Sequence, residues 1–376
     1  MKIALTGGGT GGHLVPLVAF IRETRRQWRG KDELRFSYIG PKDDFVQVLL
    51  SHEGVDIKAV ATGKLRRYGG VGPIIQNIVD LFFRMPWGVL QSLWMLFLLS
   101  PDMMFSKGGY GALPPMIAAW VLRIPMFLHE SDSRPGLANL ICGRFAMKIF
   151  TSFPQTLDFP DSKVIHVGNL VRKEILSGSK EEAKSLFHVV GDKPLLLILG
   201  GSQGSQRLND MVLAMLDQAL SEFEIIHQVG EKNLEQMQKE ARVMINPALE
   251  QYYHAVPFLR EVDLRHAYAA ASLVISRAGS GVLFELAALG KPSILIPLPE
   301  AAQNHQIRNA YDYAKTGAAI VLEEPNLTPH FFMEKLRQLF SQSGELEKMS
   351  TAARSFARPD AAEIVSRYLI EYLTKK

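Results

Sequence analysis

Twice in this chain a short apolar run ends in a cluster of glycines, at "KIALTGGGTGGH" (Lys2 to His13) and at "PLLLILGGSQGS" (Pro194 to Ser205). Each run is too short for a helix and the right length for a buried strand. Glycines at a strand-to-helix turn let the backbone approach a ligand closely. The free amides there, with the positive end of the next helix dipole, favour an anion such as a diphosphate. One such turn opens a doubly wound α/β domain, and two predict two of them.

The rest of the chain carries the same rhythm. Strand-like runs at "LRFSYIG", "DIKAVA", "DMMFSKGG", "PMFLHE" and "KIFTSF" alternate with helical stretches such as "LVAFIRETRRQW", which predicts a parallel sheet covered on both faces. A polar stretch after "VIHVGNLVR" separates these from "FEIIHQVG", "HAVPFL", "SLVISRAG", "PSILIPLP" and "AAIVLEE". At 376 residues the chain exceeds the usual size of one core. The expected division is residues 1–168, residues 169–358 and a C-terminal helix over 359–376 that packs back toward the first domain, with a hinge near 165–175.

Composition excludes little and charge excludes more. A net charge of +4 gives no footprint for nucleic acid. The single cysteine, Cys142, permits no internal disulfide and reads as a small buried apolar residue. The first apolar run meets glycines without the charged and long apolar regions of an export signal. Gly7, Gly9 and Gly12 fit the dinucleotide fingerprint, yet "YIGPK" has no carboxylate at the second strand's tip, Asp43 and Asp44 coming later. Neither glycine loop continues into the Lys-Ser/Thr pair of a P-loop. Gly200, Ser202 and Gly204 spell the GxSxG of a hydrolase elbow, a reading that leaves the first half without a role. "HESDS" lacks the second histidine of a zinc helix, and no Asp-x-Asp pair stands ready for a sugar-diphosphate metal.

The stretch "ISRAGSGVLFELAALGKPSILIPLPEAAQNHQIRNA" (Ile275 to Ala310) narrows the choice. A glycine turn feeds a helix that carries Glu285, and one carboxylate beside turn amides can accept both hydrogen bonds of a ribose diol while the amides face phosphate. This pattern predicts a nucleotide site. As a plain helix-dipole partner, Glu285 would contribute only ~0.3–1 kcal/mol.

Together, "GGTGGH", "SKGGY", "HES…GLAN", "VGNLVR", "GGSQGS", "ISRAGSGVLFELAALGKPSILIPLP" and "NHQIRNA" resemble, in collinear order over nearly the whole chain, the MurG family of peptidoglycan glycosyltransferases. The resemblance implies a GT-B fold, two Rossmann-like domains facing across a cleft. It implies UDP-N-acetylglucosamine as donor and lipid I, an undecaprenyl-linked N-acetylmuramoyl-pentapeptide, as acceptor. Transfer then inverts the anomeric centre, makes a β-1,4 bond and uses no metal and no cofactor. The setting implied is peripheral, at the cytoplasmic face of the plasma membrane, with an anionic membrane surface and cell-wall synthesis proteins as partners.

Residue by residue, Thr10, Gly11, Gly12 and His13 match the first glycine loop, Tyr110 the second, and Glu130 the segment after the fifth strand. Arg172, Ser202, Asn209, Glu285, Gln306 and Asn309 match donor contacts, with Ser280, Gly281, Val282 and His305 beside them, and Phe258 and Leu259 match backbone that frames the uracil. The family commonly has His-Glu-Gln-Asn where this chain has His129, Glu130, Ser131 and Asp132, and a hydroxyl residue where it has Val282. As base for the acceptor hydroxyl, His13 comes first because imidazole titrates near neutral pH, with Glu130 and Asp132 as alternatives. Another lipid acceptor, such as diacylglycerol, or a non-catalytic sugar-nucleotide-binding subunit are the competing readings.

One region stands apart from the sheets. "MPWGVLQSLWMLFLLSP" (Met85 to Pro101), interrupted by Gly88, Gln91 and Ser92, falls short of the ~20 residues of a spanning helix. Just before it, Lys64, Arg66 and Arg67 precede apolar residues at helical spacing from Ile74 to Trp87. That spacing predicts a short membrane-docking helix over Ile75 to Trp87, whereas Trp94 to Leu99, next to a buried strand, is expected to pack on the sheet.

Overall fold

The computed structural model describes all residues except 9–10, 64–70, 155–157, 202–203, 300, 302–303 and 376, and the side chains of residues 45 and 71. Thr10, Ser202, Lys64, Arg66 and Arg67 therefore lie outside the described residues. The chain divides into two compact units, Met1–Arg172 with Pro359–Lys376, and Lys173–Arg358.

The first unit holds β1 (Lys2–Thr6), β2 (Arg35–Gly40), β3 (Asp56–Ala59), β4 (Met103–Ser106), β5 (Met126–Glu130), β6 (Lys148–Thr151) and β7 (Val164–His166). They form one sheet in the order β3-β2-β1-β4-β5-β6-β7, every pair parallel. Alternate residues feed two cores, as strand geometry requires. Ile3, Leu5, Phe105 and Phe127 pack on one face with Leu17 and Phe20 of the helix Gly11–Gln27. Ala4, Met104 and Leu128 pack on the other with Met116 and Cys142. The helix Ala361–Thr374 joins the first core through Val365, Leu369 and Leu373. Its Tyr372 ring meets Phe127 edge-on at 5.1 Å, and Ser366 Oγ lies 3.0 Å from Thr24 Oγ1. Strand β7 is not among the expected strands, because three partly exposed residues at a sheet edge leave little periodicity to read.

The second unit repeats the plan with β8 (Leu195–Leu199), β9 (Glu224–Gln228), β10 (Tyr253–Val256), β11 (Leu273–Ser276), β12 (Ser293–Leu295) and β13 (Ala319–Val321). Their order is β10-β9-β8-β11-β12-β13, again parallel throughout. Each sheet reverses its strand order beside its first strand, between β1 and β4 and between β8 and β11. In open α/β sheets a ligand crevice opens outside the carboxyl ends of the strands at such a reversal. Both glycine loops stand there.

The division after Arg172 places residues 169–172 in the first unit, whereas the sequence pattern assigns them to the second. Asn169 Oδ1 accepts from Lys107 Nζ, and Leu170 packs in the first core, so the segment is tied to β4 before the chain leaves.

The apolar region also departs from expectation. Val71–Val79, a π-helical turn at Asp80–Arg84 and Met85–Leu99 run on as one helical stretch. From Gly72 to Leu99 it spans 28 residues, long and apolar enough by length and composition to cross a membrane. Trp94, Phe97 and Leu98 do not pack on the sheet; each is more than 60% exposed. Between Met85 and Leu99 only Gly88, Ser92 and Leu96 are buried, at four-residue spacing. That stripe packs against the helix Leu113–Val121 and against Ala61, and the other faces stay outside. The stripe is held closely: Gln91 Oε1 accepts from the Ala61 amide at 2.8 Å, and a Cβ on Gly88 would overlap the Ala61 carbonyl.

Candidate active site

In the first unit the chemistry gathers beyond the ends of β1, β4 and β5. The Gly8 amide donates to Gly108 O at 2.7 Å, joining the first glycine loop to the loop after β4. The approach needs glycine: Gly109 has φ +81°, and a Cβ there would lie 3.1 Å from both the Gly8 Cα and His13 Cε1. His13, half-buried in the first turn of Gly11–Gln27 beside Gly11 and Gly12, thus has its ring against both loops. Tyr110 is half-buried just beyond, its hydroxyl made less acidic by burial and by the charge of Asp43.

Glu130 ends β5 and is 2% exposed. Its Oε1 accepts from the Asp132 amide at 2.9 Å and its Oε2 from Asn139 Nδ2 at 2.6 Å. Asn139 Oδ1 in turn accepts from the Gly109 amide at 2.9 Å, so one amide side chain links carboxyl and glycine loop. Burial, and next the charge of Asp132, push the Glu130 carboxyl up to about 8. Asp132 remains half-exposed in the turn that follows.

Behind that turn lies a group the sequence does not single out. Lys107, fully buried one residue past β4, donates to His129 Nδ1 at 2.6 Å, Ser131 Oγ at 2.6 Å and Asn169 Oδ1 at 3.3 Å. The pairing of Phe105 with Phe127 puts Lys107, two residues on, beside His129 on the same face. His129 Nε2 lies 3.0 Å from Gly168 O, so Nδ1 accepts and Nε2 carries the proton. Burial and the neighbouring Lys107 hold His129 well below the usual imidazole range, which keeps it neutral. Burial also pushes the Lys107 ammonium down to about 7, against the opposing pull of Glu130 and Asp132.

In the second unit the loop after β8 is braced from two sides. Gln228, the last residue of β9, donates through Nε2 to Gly201 O at 2.8 Å and accepts from the Leu259 amide at 3.0 Å. The expected uracil frame, Phe258 and Leu259, is thereby tied to the glycine loop, and the Leu259 N–H is already committed to Gln228. Arg277, just past β11, donates to Ser205 Oγ, to Glu324 and to Ile296 O. Ser205 also caps the helix Gln206–Glu222 by accepting from the Leu208 amide. Asn209 is buried, with Nδ2 donating to Val229 O at 3.0 Å, so its donor group holds backbone.

The helix Ser280–Leu289 starts without a side-chain cap. Among the described residues nothing lies within 4 Å of where a Cβ on Gly279 or Gly281 would stand. The first-turn amides of Ser280, Gly281 and half-exposed Val282 have no partner within their own helix, the arrangement that suits an anion. Glu285 on the same helix accepts from the Tyr268 hydroxyl at 3.2 Å and is 6% exposed. Gln306 Oε1 accepts from the Leu298 amide at 3.0 Å, next to half-buried His305 and fully buried Asn309. Arg172, expected among donor contacts, is buried at the end of the first unit. Lys107, Asn139, Gln228, Tyr268 and Arg277 escaped sequence reasoning. Lys107 and Arg277 lie inside the quoted motifs, but nothing in a linear pattern separates a buried brace from a ligand contact.

Residues 3–151 match the Glycosyltransferase family 28 N-terminal domain and residues 195–365 its C-terminal domain. A Bacillus cereus protein named UDP-N-acetylglucosamine–N-acetylmuramyl-(pentapeptide) pyrophosphoryl-undecaprenol N-acetylglucosamine transferase 2 is 35% identical over 98% of this chain and 99% of its own length. A transferase of the same designation from Geobacillus kaustophilus is 37% identical over 92% of each chain. The crystal structure of Acinetobacter baumannii MurG superposes with a TM-score of 0.73 at 24% identity, covering 100% of this chain and 99% of that one. UDP-GlcNAc 2-epimerase from Neisseria meningitidis, bound to UDP-GlcNAc, shares the fold at a TM-score of 0.66 and 15% identity over 99% of this chain and all of its own. Two doubly wound units of the GT-B type, family 28 matches in both, and a third of all residues shared end to end with these transferases place the chain in glycosyltransferase family 28, as a member of the MurG family.

Proposed function

We propose that this protein transfers N-acetylglucosamine from UDP-N-acetylglucosamine to the 4-hydroxyl of the N-acetylmuramoyl unit of lipid I, giving lipid II. The observation that carries this reading is near full-length similarity, at 33–37% identity, to transferases named for that donor and that acceptor. Transfer is a direct displacement with inversion. First-turn amides at Ser280–Val282 and the helix dipole behind them take the diphosphate, Glu285 takes the ribose diol, and the Phe258–Leu259 segment flanks the base. His13 removes the acceptor proton. Glu130, with both oxygens engaged, holds the turn that presents Asp132. Dipoles and amides stabilise the departing UDP, so no divalent ion is required.

The test is transfer of radiolabelled N-acetylglucosamine, in excess chelator, to lipid I and separately to diacylglycerol. Label in lipid I alone supports the reading, and label in diacylglycerol alone overturns it.

The acceptor's lipid tail requires an enzyme at the bilayer, and the exposed faces of Gly72–Leu99 are the surface we assign to it. The buried stripe at Gly88, Ser92 and Leu96 ties this helix to its own unit, so it lies on the membrane instead of crossing it. Ile75, Phe82 and Trp87 are each more than half exposed. Moving such a side chain fully out of water contributes ~1.5–3 kcal/mol, and a nearby cation on anionic lipid ~1 kcal/mol, enough for reversible peripheral attachment. Changing Ile75, Phe82 and Trp87 together to serine is expected to preserve UDP affinity and melting temperature. Co-sedimentation with anionic vesicles and activity on full-length lipid I should both fall. Undiminished vesicle binding would move the docking surface elsewhere.

A further inference from the structure

Lys107 is a buried cation whose hydrogen-bond acceptors are all neutral: an imidazole nitrogen, a hydroxyl and an amide oxygen. No ligand reaches it, since its side chain is fully buried. A primary ammonium has three N–H donors and no acceptor, and here all three are used. The acceptors come from three places in the chain: His129 on β5, Ser131 in the turn beyond it, and Asn169 near the end of the first unit. Asn169 Oδ1 also accepts from the Leu170 amide at 3.0 Å, so two donors fix the orientation of that amide side chain. Between His129 and Ser131 stands Glu130, and after them Asp132. The ammonium therefore grips the two alternate residues that flank Glu130, while Asn139 grips Glu130 from the other side.

We propose that Lys107 is a positioning residue for transfer: its ammonium fixes the His129–Asp132 turn in the geometry that receives the acceptor sugar. This rests on the function proposed above and adds what holds that part of the site. The charged form is the holding form. A neutral amine has two N–H groups and a lone pair, so on deprotonation one of the three acceptors loses its donor. The titratable groups facing Lys107 are His129, Glu130 and Asp132, with His13 across the glycine loops. With the ammonium pushed down to about 7, the turn loosens as pH rises through neutrality.

The same shift has a separate signature in stability. An unfolded lysine titrates near ~10.4, so between about 7 and that value the unfolded state binds more protons and stability rises with pH. Glu130, raised to about 8 from an unfolded value near ~4.3, works in the opposite sense, stability falling as pH rises across that lower window. Lys291, lowered to about 8, adds a rise of the same sign above that pH, so the contribution of Lys107 is read as the difference between the parent and Lys107→Met.

The experiment compares the full-length parent with Lys107→Met and Ser131→Ala, measuring kcat and KM for lipid I, UDP affinity by calorimetry, and urea stability across pH. Lys107→Met is expected to lose roughly 10²-fold in kcat/KM for lipid I, the scale set by small misplacement at a reaction centre, with UDP affinity unchanged. The parent's kcat/KM for lipid I should carry a falling limb near neutral pH that the methionine variant lacks. Ser131→Ala leaves two acceptors, which the two N–H groups of a neutral amine can still serve, so it should show a smaller loss and a weakened limb. A kcat/KM close to the parent's, or equal losses for donor and acceptor with a lowered melting temperature, would make Lys107 a structural residue and overturn the proposal. If Lys107→Met does not fold, a parent profile flat between about pH 6 and 9 overturns it alone. A parent that transfers nothing to lipid I defeats the functional reading instead, and a parent that transfers normally isolates the question to Lys107.

Discussion

Replacing His13 by asparagine is expected to lower turnover by ~10²–10⁴-fold while leaving UDP affinity unchanged, the range for removing a general base from a positioned proton transfer. Asparagine retains a polar group of similar reach but cannot take up the acceptor's proton. Position favours His13 over its alternatives. It is half-buried, with its ring against the Gly8 and Gly109 backbone where two loops meet at the strand-order reversal. Glu130 is 2% exposed, with one oxygen on the Asp132 amide and the other on Asn139. Those two bonds and its burial suit it to bracing the turn. Single-turnover rates with saturating donor, beside calorimetry with UDP, separate chemistry from binding. Near-normal turnover in the variant would pass the role to Asp132, and Asp132→Asn would then show the loss.

Glu285→Ala is expected to weaken UDP and UDP-N-acetylglucosamine alike by ~1.5–3 kcal/mol, the range for hydrogen bonds to a charged group. That corresponds to roughly tenfold to 150-fold in dissociation constant. The effects should match because both ligands carry the same ribose diol. Glu285 lies on the helix that starts at Ser280 without a side-chain cap, so in the proposed reading one rigid element serves both diol and diphosphate. Its hydrogen bond from Tyr268 orients the carboxylate, and Tyr268→Phe should reproduce a fraction of the loss. Unchanged UDP affinity in a folded Glu285→Ala variant would reduce this residue to a helix-dipole partner.

Much of the scaffold was legible because parallel strands buried on both faces read as continuous apolar runs. "KIALTG", "PMFLHE", "PLLLILGG" and "SLVISRAG" each became a strand ending at a loop that carries chemistry. The misreadings share a cause. Trp94, Phe97 and Leu98 were expected inside because they precede a buried strand, yet only every fourth residue of that helix is buried, and it packs on the neighbouring helix Leu113–Val121. Whether an apolar side chain is covered depends on its angle around the helix and on what stands opposite, and neutral spacers such as Gly88 and Ser92 mark the covered side better than the large residues do. The length of the helix was missed for a related reason. The backbone passes Asp80–Arg84 as a π-helical turn, so two segments that look separate join into one.

By itself the sequence determined the two α/β units, the glycine turns at their first strands, and the identity of the groups at the strand ends, since these follow from residue type and period alone. Only the tertiary structure decided which of those groups are braces. Lys107 and His129 are 22 residues apart, and Lys107 and Asn169 are 62 apart, yet the fold brings both partners to the one ammonium. Gln228 joins Gly201 to Leu259 in the same way across 27 and 31 residues. A lysine, a glutamine or an arginine at a strand end is equally suited to hold a ligand or to hold a loop. At Lys107 and Gln228 the committed hydrogen bonds select the brace: all three N–H donors of the one, and the amide oxygen and an N–H of the other, are taken up by the protein.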